Sequence, residues 1–162
     1  MKKTIIFSII FIFSLITLGY SYIYNNKYLN IAVTPKEIQQ KIFDSLDSEI
    51  PATIQIDNEQ FTELYNLNNV EDFCINIPMM NISATEIGII KVKNLNDVNY
   101  VKDKLDKRAK TILNDQEKYL NDQYELAKKP LIKAKGKYVI FSISEVNNEI
   151  ENIFDSFFEV KK

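Results

Sequence analysis

The chain has 162 residues, 46% apolar and 26% charged, so it can bury a core without disulfides or metal and is too apolar for a disordered segment. Setting aside Lys2 and Lys3 lowers the basic residues from 20 to 18 against 22 acidic ones, and the net charge moves from −2 to −4. That balance excludes nucleic acid, which needs a basic stripe. With no histidine, Ser-His-Asp triads and His/Cys zinc sites are excluded, and Gly19, Gly88 and Gly136 are too scattered for a phosphate loop.

Residues 1–24 open with Lys2 and Lys3 and then run uncharged from Thr4 to Tyr24. At the helical rise that run spans about 31 Å, the thickness of a bilayer's hydrocarbon core. Two readings fit: a signal peptide cleaved near Gly19-Tyr20-Ser21, or an uncleaved single transmembrane anchor. The anchor accounts for Ile23 and Tyr24 and for Tyr20, Tyr22 and Tyr24 as an interfacial belt. The positive-inside rule then puts residues 25–33, a polar tether, and the domain 34–162 outside the cytoplasm. The expected location is the cell membrane, single-pass, or the exterior if the segment is cleaved. Cys74 is the only cysteine, forms no internal disulfide and is expected as a buried thiol.

The first helix is predicted from Thr34 as N-cap, with Pro35 at its first position and Glu37 closing a capping box. Ile38, Ile42 and Leu46 share one face, and Pro51 is expected to end it. Residues 52–56 alternate as a strand, 58–65 read as a short helix, and 70–73 as a turn or helical piece. Ile75 and Ile77 belong to a strand that Pro78 interrupts, because proline lacks a donor. Glu86 to Val92 is a second strand, antiparallel to the first, with Met79, Met80 and Asn81 at a bulge or edge between them. One methionine is expected in the core and the other at the edge. Adjacent strand residues point to opposite faces, so the two sulfurs do not converge on a soft metal.

Residues 97–129 form the longest periodic segment and predict one long helix. Its stripe includes Val98, Val101, Leu105, Ala109, Ile112 and Ala127, with Gln116 and Gln123 as polar intruders. Pro130 stops it. Arg108, the only arginine, lies roughly 60° from the centre of the stripe by the 100° helical step. Its stem is expected on apolar surface and its guanidinium on a carboxylate, with Glu86 the candidate. Residues 131–135 and 137–144 flank Gly136 as a hairpin, and 147–160 close the chain as an amphipathic helix. The expected fold is α+β: an antiparallel sheet of four to five strands with helices packed on one face, preceded by a single N-terminal transmembrane helix.

Pro78-Met79-Met80-Asn81, Glu86-Ile87 leading into Lys91-Val92, Lys107-Arg108 in a long helix, and Gly136-Lys137-Tyr138-Val139 together resemble a bacterial family known only as domain of unknown function 4358. The resemblance covers roughly Ile38 to Phe158. It implies a short exported protein held by a lipid or by one N-terminal helix; no cysteine near the N-terminus could carry a lipid, which favours the helix. The resemblance implies no activity. The candidate binding residues are Pro78, Met79, Met80, Asn81, Glu86, Arg108 and Tyr138. No catalytic, cofactor or metal set is expected. The expected function is a non-catalytic interaction or accessory module of the cell envelope, touching the membrane through its N-terminal helix and a second envelope protein through a sheet edge or the Met79-Met80-Asn81 bulge. The alternative is a module binding a small ligand or an envelope polysaccharide.

Overall fold

In the computed structural model, residues 32–118 and 121–159 are described, together with Ser14. The uncharged run of residues 4–24 therefore lies almost wholly outside the described residues. Among those described, no helix is long and apolar enough to cross a membrane.

Helix α1 (Pro35–Leu46) begins as its sequence predicts. The Thr34 hydroxyl accepts from the Glu37 amide at 3.2 Å, and Glu37 Oε2 accepts from the Thr34 amide at 2.7 Å. It ends at Leu46, ahead of the expected stop at Pro51, and the Glu49 and Ile50 amides both close a turn on the Leu46 carbonyl. Strand β1 (Thr53–Gln55) and helix α2 (Asn58–Tyr65) follow, the latter with its own capping box from Asp57 and Gln60. Strand β2 (Val70–Pro78) includes residues 70–73, which had read as a turn or helical piece. Glu71 and Asp72 are charged because this end of the strand is exposed, and the ladder shifts register between Val70 and Asp72. The irregularity thus sits at the start of β2, not at the methionines. Pro78 is the strand's last residue, opposite Thr53, where a missing donor costs least.

Strand β3 (Glu86–Val92), helices α3 (Val98–Gln116) and α4 (Asn121–Ala127), strands β4 (Leu131–Lys135) and β5 (Tyr138–Ile143), and helix α5 (Asn147–Ser156) complete the domain. The single helix expected over 97–129 is thus two helices. Gly136 takes φ 55° between β4 and β5, a left-handed backbone that suits a residue without Cβ.

The five strands form one antiparallel sheet in the order β1-β2-β3-β5-β4. Helices cover both of its faces, whereas the sequence suggested only one. Ile90, Val139 and Phe141 share a core with Val101 and Leu105 of α3 and with Phe61 and Tyr65 of α2. Ile87, Ile89 and Ile140 point the other way, where α1 and α5 contribute Ile38, Ile42, Ile150 and Phe154. All six residues of β5 are buried. Each such apolar side chain contributes about 1.5–3 kcal/mol when removed from water, so neither face of the sheet can be left open.

Candidate functional site

The site grows from the α3 face of the sheet. Glu86, the first residue of β3, is 1% exposed. A carboxylate held there requires partners, since an isolated buried charge would neutralise itself or unfold the site. Arg108 supplies a two-pronged clasp: Nε donates to Glu86 Oε1 at 3.0 Å and Nη2 to Oε2 at 2.6 Å. The pairing anticipated from the flanking position of Arg108 is therefore present. Tyr65 completes it, its hydroxyl donating to Oε1 at 2.5 Å. The Arg108 guanidinium also lies 5.7 Å from the centre of the Tyr65 ring.

These contacts set the proton affinities. Burial, then the neighbouring Glu86 charge and its hydrogen bond, push the Tyr65 phenol well above its usual range. For Arg108, burial acts against the charge but is outweighed by Glu86, and the guanidinium is held more strongly protonated than usual. Raising a phenol's folded pKa above its unfolded value of about 10 means that the folded state keeps the proton longer. The resulting stability is complete below about pH 10 and is lost as pH rises through the folded value. Lys91 and Lys133, also raised by their carboxylate partners, lose stability in the same direction. Tyr65→Phe should therefore cost roughly 1–2 kcal/mol near pH 7. Above pH 10 its unfolding free energy should fall less steeply than that of the parent chain in urea titrations. Parallel slopes would assign the alkaline loss to the lysines alone.

Over this cluster lies a cleft of about 370 Å³ between α3 and the segment joining β2 to β3. Pro78, Asn81, Ser83 and Glu86 line one side, and Arg108, Asp115, Gln116 and Lys118 the other. The connecting loop is tied down by the two glutamines that interrupt the apolar stripe of the 97–129 segment. Gln116, 4% exposed, donates from Nε2 to the Asn81 carbonyl at 3.1 Å. Gln123 Oε1 accepts from the Ala84 amide at 2.9 Å. Sequence reasoning noticed both residues only as blemishes on a stripe; a long polar side chain at a core position was the available signal for a loop needing partners. Tyr65 ends the short helix predicted over 58–65, and nothing in the sequence marks it as the third member of the Glu86 cluster.

Four of the seven candidate residues, Pro78, Asn81, Glu86 and Arg108, thus meet at one cleft. Met79 and Met80 stand beside it on the loop, 61% and 66% exposed. The expectation that one of them fills the core is overturned, because the loop leaves the sheet immediately after Pro78 and Ala84 is the loop's fully buried apolar residue. Tyr138 does not belong to this group. It faces the α1 side of the sheet, 1% exposed, and its hydroxyl donates to the Val33 carbonyl at 2.5 Å. Cys74 is buried toward the same side, where desolvation raises its thiol pKa and suppresses the reactive thiolate. Among the described residues no group of three or more Cys, Asp or Glu is arranged to hold a metal ion.

The family described as a domain of unknown function (DUF4358) matches residues 44–144, well over half of the chain, and the chain belongs to it. The matched span contains all of β1 to β5, and with them the cleft and the Glu86 cluster. No curated protein and no solved structure matches the chain.

Proposed function

We propose that this member of the family is a non-catalytic module of the cell envelope, held at the membrane by the uncharged run from Thr4 to Tyr24, that binds another envelope protein through the loop after Pro78. The observation that carries this reading is the exposure of Met79, Met80 and Ile82 on one short loop. Consecutive large apolar side chains in water are unfavourable unless something covers them, and methionine adapts to irregular partner surfaces. The loop is also pre-set by Gln116 and Gln123, so little ordering entropy remains to oppose association.

The full-length chain in its membrane, carrying a photo-crosslinker at Met80, should yield one discrete heterologous adduct. The same crosslinker at Lys110, exposed on α3, should not. Met79→Asp with Ile82→Asp should reduce that adduct at least about tenfold while leaving the melting temperature unchanged, since both positions are solvent-facing. Recovery of uncrosslinked monomer alone with the crosslinker at Met80 would remove the proposal.

A second reading, a module that binds a small ligand or an envelope polysaccharide, is favoured by the cleft itself. It is lined by hydroxyl, amide and charged groups beside a fixed ion pair, the kind of polar set that orients a ligand.

A further inference from the structure

We infer that the cleft receives the end of a peptide chain, with its terminal carboxylate on the free edge of Arg108 and its backbone running along α3 toward Asp115. This rests on the small-ligand reading and names the ligand's chemistry. Glu86 occupies Nε and Nη2 of Arg108, while Nη1 has no partner among the described residues. A guanidinium clasped on one side remains a two-donor site on the other, oriented by the first clasp, and carboxylates are its geometric match.

The second observation is independent. Gln116 lines the same cleft with its side chain almost wholly buried, and Oε1 has no donor. Its Nε2 is committed to the loop, so the amide cannot rotate to relieve the deficit. A buried acceptor without a partner is costly; Oε1 is closed off from solvent, so an entering backbone N–H satisfies it only as the ligand draws the side chain toward the cleft.

Length and charge narrow the ligand. Arg108, Ile112, Asp115 and Gln116 follow one another along α3, and the seven steps from Arg108 to Asp115 rise about 10 Å. An extended chain advances about 3.3 Å per residue, so about three residues fill that row. Among the lining groups Glu86 and Asp115 balance Arg108 and Lys118. There is no surplus positive charge to hold any anion, so a singly charged carboxylate is opposed less than a phosphate dianion.

The full-length chain, isotope-labelled in detergent, should be titrated with acetyl-trialanine as the free acid and as its amide. The free acid should produce saturable shifts in the backbone amides of residues 81–86, and the amide should bind at least about tenfold more weakly. Asn81→Trp, at an exposed lining position, should abolish the shifts without altering the melting temperature. Equal binding of acid and amide, absence of saturable shifts, or displacement of the peptide by equimolar inorganic phosphate would each overturn the inference. Binding of di-N-acetylchitobiose without binding of the peptide would also overturn it, while leaving the small-ligand reading in place.

Discussion

Arg108→Leu should cost about 3–5 kcal/mol of folding stability, because it strips the buried Glu86 carboxylate of its two-pronged partner. The Tyr65 hydroxyl would remain as the carboxylate's one side-chain partner, which is too little to replace a two-pronged guanidinium. In a domain of this size the loss corresponds to a fall in melting temperature of roughly 10–20 °C. The double replacement Glu86→Leu with Arg108→Leu should recover most of it. Removing both charges eliminates the desolvation penalty together with the attraction, and such exchanges are often close to neutral. Urea unfolding of the two single variants and the double variant closes the cycle. A loss under about 1 kcal/mol for Arg108→Leu would place the pair with ordinary surface ion pairs, despite its burial.

Gly88→Ala should destabilise the chain by about 1–3 kcal/mol through crowding inside the sheet. A Cβ at Gly88 would sit 2.7 Å from Ile75 Cγ1 and 3.3 Å from its Cγ2. Ile75 is directly opposite on β2 and fully buried, and these atoms are next to its backbone, so they cannot swing aside. The missing side chain on β3 is the hole that Ile75 fills. Ile75→Ala alone should cost about 2–5 kcal/mol as a cavity. In that background the addition of Gly88→Ala should be neutral or stabilising, since it returns a methyl group to the vacated space. Additive losses in the double variant would refute this packing account.

Where the physics was local, the sequence was readable. Thr34, Pro35 and Glu37 form a cap using only three neighbouring positions, and the strand bounds Glu86 to Val92 agree with the alternation and the run of β-branched residues. Arg108 was legible because its angular position beside the stripe left few places for a guanidinium to go. The two-sided covering of the sheet was available but underweighted: Tyr138 to Ile143 is apolar at nearly every position, and a strand with one wet face would not be. Residues 70–73 misled because Glu71 and Asp72 have turn-like character. Glu71 is stabilised by a contact no local rule supplies, with Lys91 at 2.7 Å on the neighbouring strand, while Asp72 accepts from the adjacent Phe73 amide. The methionines misled in a different way. Composition favours methionine inside, and only the departure of the chain from the sheet after Pro78 turns both of them outward.

The bond from the Tyr138 hydroxyl to the Val33 carbonyl has a mechanical consequence. β5 is an interior strand, flanked by β3 and β4, so the chain enters the domain fastened to the middle of the sheet and not to its rim. A pull applied ahead of Ala32 would reach Tyr138 and the first turn of α1 before any strand pair carried load. Peeling from an edge, the easiest way to unravel a sheet, is not open to a force arriving by that route. A domain tugged from its N-terminal side would yield first by releasing α1, with the ladder of five strands, and the cleft on its opposite face, still intact.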